Sequence, residues 1–132
     1  MYSLSKRSQK ELIGVEPALA FIVTEAIKIT KQDFMVLDGV RSMAEQRKLV
    51  DRGVSKTYNS YHLNGLAVDL VAYVDGKLSW EEKYYPAINK SVQKVSEKHG
   101  VKVDWGFALW GWDMAHFQRT GMKPYYDIRR LQ

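Results

Sequence analysis

The chain has 132 residues, 45% hydrophobic and 27% charged, which is the length and composition of one ordinary globular domain. Its longest unbroken apolar run, six residues over 18–23, falls far short of the ~20 a membrane span needs, and its opening residues hold no apolar stretch of signal-peptide length. Cysteine is absent, which excludes disulfide scaffolds, thiolate zinc clusters and cysteine nucleophiles, and the net charge of +5 fits either contact with anionic polymers or simply a basic, well-solvated surface.

Along the chain, Ser8 followed by Glu11 has capping-box spacing and predicts a short first helix that Gly14 ends. Pro17 suits a first helical position. Leu19, Ile22, Val23, Ala26 and Ile27 then recur at helical spacing, predicting an amphipathic helix to about residue 30. Phe34-Met35-Val36-Leu37 reads as a strand running toward Gly39, and Ser42 with Glu45 opens a second capped helix over 44–52, closed by Gly53. Residues 54–64 are polar without a period and read as a loop. Residues 66–74 read as a buried strand, Asp75-Gly76 as a hairpin turn and 77–80 as the returning strand. Ser79 and Glu82 offer a third cap for a helix with Tyr85, Ile88, Val92 and Val95 on one face and His99-Gly100 at its end. A brief strand is expected over 101–103. Residues 104–118 set Trp105, Phe107, Trp110, Trp112 and Phe117 among glycines, as an aromatic-walled loop and strand. Helices come first, then strands and helices mix without a βαβ rhythm. This predicts an α+β fold, one small domain over 1–132 with a central, mostly antiparallel sheet and flanking helices.

Chemistry concentrates in two segments. His62 closes the polar loop and Asp69 lies inside an otherwise apolar strand, where an unpaired carboxylate costs several kcal/mol. Simple alternation points residues seven apart in opposite directions, but a turn at Asn64-Gly65 lets the imidazole swing back toward the carboxylate. The second segment, Trp112-Asp113-Met114-Ala115-His116-Phe117, again sets an acid and a histidine among apolar neighbours. With three histidines and no cysteine, any metal must be held by imidazoles and carboxylates. If His116 joins His62 and Asp69, the trio suits a catalytic zinc with its fourth position left for water, and Asp113 becomes a spare carboxylate able to act as a general base. Structural roles fit the same residues at this point: packed histidines, and aromatic side chains that fill a core. His99, beside Gly100, reads as a helix-end residue.

These segments together resemble the signature of the LAS-type zinc D-Ala-D-Ala carboxypeptidase and dipeptidase family. Ser60-Tyr61-His62-Leu63-Asn64-Gly65-Leu66-Ala67-Val68-Asp69 fills its Ser-x-His-x-x-Gly-x-Ala-x-Asp pattern, and Asp113-Met114-Ala115-His116 fills its Asp/Glu-x-x-His, with Phe117-Gln118 following in family-like fashion. The upstream stretch from Asp38 to Gln46 is similar to the family's Gly-x-Arg-Ser/Thr-x-x-x-Gln segment. Small size and the Trp105-Gly106 lead-in look most like phage endolysins that cleave the L-alanyl-D-glutamate bond. Two departures, Phe107 where a second glycine is usual and Ala115 where proline is usual, remove no chemical group.

The resemblance implies zinc on His62, Asp69 and His116, Asp113 as the catalytic base, and Arg41 as a catalytic cation that meets the substrate carbonyl or a carboxylate. It also implies Ser60 and Gln46 as supporting or substrate-orienting groups. The expected partner is the stem peptide of bacterial peptidoglycan, on whose acidic polymer the basic chain would concentrate. No nucleic acid, no stable membrane insertion and no separate wall-binding domain are expected. The protein is expected to be a monomer that waits in the host cytoplasm and reaches the wall after membrane permeabilisation. The alternatives are a D,D-carboxypeptidase or dipeptidase on D-Ala-D-Ala stems, a non-catalytic zinc-stabilised wall-binding module, and a basic nucleic-acid binder. The last lacks a recognisable reading helix or aromatic RNA motif.

Overall fold

A computed structural model describes residues 1–40, 42–53 and 61–122. Helix α1 (Lys6–Glu11) is capped by Ser5, whose hydroxyl accepts the Ser8 N–H at 3.0 Å. The cap falls earlier than the expected Ser8 because that hydroxyl is used elsewhere. Ser8 is buried inside the helix and accepts the Val36 N–H at 3.0 Å, stitching α1 to strand β1 (Phe34–Asp38). Between them, α2 (Pro17–Ile29) begins on its proline as expected, with the Glu16 carboxylate accepting the Leu19 N–H at 2.8 Å. Helix α3 (Met43–Asp51) carries both bonds of the predicted capping box between Ser42 and Glu45.

Strands β2 (Ala67–Val74) and β3 (Lys77–Ser79) form the expected hairpin. Its turn residues Asp75 and Gly76 have φ of 51° and 79°, the left-handed pair that matches strand twist. Ser79 does not cap a helix. Its hydroxyl accepts the Glu81 N–H at 3.3 Å, and a short 3-10 turn over Glu82–Tyr84 leads into α4 (Tyr85–His99). At the end of α4, the Gly100 and Val101 N–H groups both bond to the Ser96 carbonyl. That cap holds Val101 in the terminal turn, so β4 (Val103–Trp105) starts later than the strand expected over 101–103. The segment read as loop and strand contains a five-residue helix, α5 (Gly106–Trp110), before β5 (His116–Arg119).

Every strand pairing is antiparallel, in the order β1-β2-β5-β4, with β3 also pairing β2. The α+β architecture with an antiparallel sheet and flanking helices is the one expected. Leu19, Ile22, Val23, Ala26 and Ile27 of α2 and Ile88, Val92 and Val95 of α4 pack with Val68, Leu70, Ala72 and Phe117 in one core. Alternation along β2 gives Val68, Leu70 and Ala72 one face and leaves Asp69 on the other. Burying a Leu, Ile or Val side chain is worth ~1.5–3 kcal/mol, so the register that keeps Val68 and Leu70 inside also fixes where Asp69 points. No helix among the described residues is long and apolar enough to cross a membrane.

Candidate active site

Sheet register does most of the assembly. Asp69 on β2 lies directly opposite His116 on β5, and neighbours opposite one another across a pair share a face. The Nδ1 of His116 comes within 3.6 Å of Asp69 Oδ1. His62 arrives from a 3-10 turn over Tyr61–Asn64 that ends in Gly65 at φ 68°, and its Nε2 lies 3.4 Å from the same oxygen. A side chain at Gly65 would also collide with the Gly14 carbonyl, 2.5 Å from an ideal Cβ, so the turn that returns His62 to the strand needs glycine twice over. The ligand-type atoms of His62, Asp69 and His116 all lie within 4.8 Å of one another, and the two imidazole centroids are 5.3 Å apart.

The far side of each ring is held by an acceptor. His62 Nδ1 lies 2.8 Å from the Gly39 carbonyl, and His116 Nε2 lies 2.8 Å from Gln118 Oε1. An oxygen acceptor there assigns the ring proton to that nitrogen, leaving the lone pairs of His62 Nε2 and His116 Nδ1 on the Asp69 side. Gly39 is fixed in turn by close packing under α1, where an added Cβ would meet the Glu11 carbonyl at 2.0 Å. A bulge between Val36 and Asp38 redirects β1 just before it.

Burial pushes the Asp69 carboxyl up, but where the rings are protonated the charge of His62 and hydrogen bonds from His116 and His62 outweigh that and hold it well below the usual carboxylate range. With the ring protons on the outer nitrogens instead, a cation bound among the three side chains would supply that positive charge. His62 and His116 keep 2% and 9% of their side chains exposed against 22% for Asp69, so the cluster is walled by imidazole and open on the carboxylate side. Two neutral imidazole nitrogens and one carboxylate oxygen, with no thiolate, form a donor set that suits zinc with a position left open. The fit is good.

Asp113 lies in a tight turn at φ 58°, a left-handed conformation that aspartate tolerates better than most residues, and its carbonyl accepts the His116 N–H at 3.3 Å. It lines a cleft of about 210 Å³ together with Trp80, Glu82, Phe107, Trp112 and Met114. Gly106 lets α5 lie against this turn, since its Cβ would meet the Asp113 carbonyl at 2.5 Å and His116 Cβ at 3.1 Å. Gln46 is fully buried on α3, which suits a supporting group better than one that touches substrate. Arg41 and Ser60 lie outside the described residues. His99 stands apart at the end of α4, edge-on to Phe21 with centroids 4.8 Å apart.

Gly39, Gly106 and Gln118 carry site geometry that the sequence reading gave no role. For Gln118 a signal existed: it stands two residues after His116 on a strand and so shares its face.

The fold and the clustering of His62, Asp69 and His116 agree with the resemblance to LAS-type peptidases. Its structure resembles that of a vancomycin-resistance D,D-pentapeptidase, VanY, solved in complex with Zn(II), with a TM-score of 0.54 and 16% identity over 81% of this chain and 73% of that one, a likeness of fold alone. It is much nearer the Serratia marcescens L-Ala D-Glu endopeptidase ChiX, with a TM-score of 0.82 and 40% identity over 87% of each chain. The L-alanyl-D-glutamate peptidase of Escherichia phage T5 is 27% identical over 109 residues, 80% of each protein. Residues 1–122 match the family described as phage L-alanyl-D-glutamate peptidase, and the chain belongs to that family.

Proposed function

We propose that the protein is a zinc-dependent peptidoglycan peptidase that hydrolyses the L-alanyl-D-glutamate amide of the stem peptide and acts as a phage endolysin. The observation that carries the reading is the approach of His62, Asp69 and His116 to within 4.8 Å of one another, from a turn and two strands, in a member of this peptidase family. His62 Nε2, Asp69 Oδ1 and His116 Nδ1 are the proposed ligands. Zinc, when bound, supplies a Lewis acid that brings the pKa of water to about 7 and polarises an amide carbonyl.

Asp113 accepts a proton from the water that attacks the scissile carbonyl carbon. As the carbon–nitrogen bond breaks, Asp113 returns that proton to the departing amine of D-glutamate. Arg41 is assigned to the carbonyl oxygen as negative charge develops there, a task its fixed fork of donors suits. Gln46 and Ser60 are assigned supporting roles. Family membership and the endopeptidase of Serratia both favour this bond over D-Ala-D-Ala.

The protein acts as a monomer and a single domain over 1–132, without nucleic acid. It accumulates in the host cytoplasm and reaches the wall once the membrane is permeabilised, its net charge of +5 drawing it to the acidic polymer. Mass spectrometry of fragments released from purified peptidoglycan tests the reading. A new amino terminus at D-glutamate that appears with zinc and disappears with chelator is expected. Release of D-alanine alone, or fragments indifferent to chelator, would refute it.

A further inference from the structure

Beside the proposed ligands the surface is unusually aromatic. Trp80, Trp110 and Trp112 are 62%, 47% and 54% exposed and Phe107 is 39% exposed, although tryptophan is largely buried on average. They are not scattered. The Trp110 ring lies 5.2 Å from that of His116 and 5.8 Å from that of Trp112, a ladder running outward from a proposed ligand. Trp80, which comes from the far side of the β2–β3 hairpin, lines the same cleft as Phe107, Trp112 and Asp113. Two distant segments of chain thus build one aromatic wall that shares Asp113 with the proposed reaction centre. A contiguous exposed apolar patch at the mouth of a cleft marks a binding surface.

The occupant follows from the substrate's chemistry, and this step rests on the function proposed above. On the carboxyl side of the scissile amide stands D-glutamate, an anion. On the amino side, past L-alanine, stands the lactyl ether of N-acetylmuramic acid and its sugar ring. Apart from the proposed base Asp113, the cleft carries the carboxylate of Glu82, which repels an anion and tolerates a neutral N-acetylated sugar. A pyranose also matches the wall in kind, presenting a face of C–H bonds to an aromatic ring while its hydroxyl and amide groups stay in water. One alanine and a lactyl group span less than ~10 Å even when extended, so the ring must land within the reach of this ladder.

We propose that the cleft lined by Trp80, Phe107 and Trp112 is a glycan subsite that takes the N-acetylmuramoyl ring attached to the L-alanine of the stem. The enzyme therefore reads the junction between sugar and peptide, and prefers a stem still joined to its glycan over one already released.

The test compares the zinc enzyme on two substrates that differ only in the sugar: a muramoyl-linked stem peptide, and the same peptide with an acetyl group on L-alanine. For the wild-type protein kcat/KM should favour the muramoyl substrate by about tenfold, mostly through KM, the size of one good aromatic contact. Trp80→Ala should bring the ratio close to one, and Trp80→Phe should restore most of it. Trp80 is exposed, so this change opens no core. A ratio that survives Trp80→Ala, or a loss shared equally by both substrates, overturns the subsite. Binding supplies an independent readout: a GlcNAc–MurNAc disaccharide should quench tryptophan fluorescence saturably in the wild type and much less in Trp112→Ala. Quenching by the stem peptide beyond D-glutamate, with none by the disaccharide, assigns the cleft to the peptide side and also overturns the proposal. If neither substrate is cleaved, the proposed function fails; if both are cleaved equally well, the subsite alone fails.

Discussion

Replacing Gln118 by leucine isolates the hydrogen bond that orients a proposed ligand without touching that ligand. The two side chains are similar in size and the site is 6% exposed, so the change removes the acceptor 2.8 Å from His116 Nε2 and little else. The ring N–H is then buried without a partner, at a cost of about 1–3 kcal/mol, and the imidazole can escape that cost by moving its proton to Nδ1 or by rotating. Either escape withdraws the lone pair that faces Asp69. Since 1.4 kcal/mol is a factor of ten, zinc affinity should fall by about 10- to 100-fold, the usual effect of deleting a partner behind a ligating histidine. Competition with a colorimetric chelator measures this directly. Gln118→Glu, which keeps an acceptor on the same atom, should bind zinc at least as tightly as the wild type. Wild-type zinc affinity in Gln118→Leu would refute the tautomer assignment and the argument built on it.

Asp113→Ala should keep one zinc per chain, measured by elemental analysis, while peptide hydrolysis drops by about 10²- to 10⁴-fold; loss of the metal along with the activity would assign Asp113 to the ligand set instead. Gly106→Ala forces a methyl group to within 2.5 Å of the Asp113 carbonyl. It should lower stability by about 1–3 kcal/mol in denaturant titrations and depress activity beyond that loss, and an unchanged midpoint would contradict the close approach of α5. Tyr85 sets an alkaline limit. Burial pushes its phenol above the ordinary value of 10.0 and the Asp69 charge adds to that, against a hydrogen bond from the Ala72 N–H, while its own O–H donates to the Ser79 carbonyl at 2.7 Å. Above pH 10 the unfolded chain loses this proton first, so the contribution is complete below that pH and disappears as pH climbs through the folded value. Tyr85→Phe should cost about 1 kcal/mol near neutrality and flatten the decline of stability above pH 10; an equally steep decline would count against this account.

Features whose physics is local were legible in the sequence. The apolar stripe from Leu19 to Ile27, the capping box of Ser42 and Glu45, and the left-handed pair Asp75-Gly76 each follow from dihedral preference or from hydrogen bonds within a few residues, so reading the chain located them. Local cues failed where a distant partner outbid a near one. Ser8 has the spacing of a cap, yet its hydroxyl serves Val36 on a neighbouring strand. The five-residue α5 has too few turns to show a period, and it exists because Gly106 lets it lie against the turn at Asp113.

The site divides along the same line. Residue type and spacing singled out His62, Asp69, Asp113 and His116 as the groups able to hold a metal and move a proton. Only the folded chain decided that Asp69 and His116 face each other, because strand register is set by burial of Val68, Leu70 and Phe117 on the opposite face. The anchors behind the imidazoles, a backbone carbonyl at Gly39 and the amide of Gln118, and the cleft that Trp80 and Trp112 both line were likewise settled in three dimensions. Covalent order limits which groups a chain possesses, while contacts between remote segments depend on how a whole core closes.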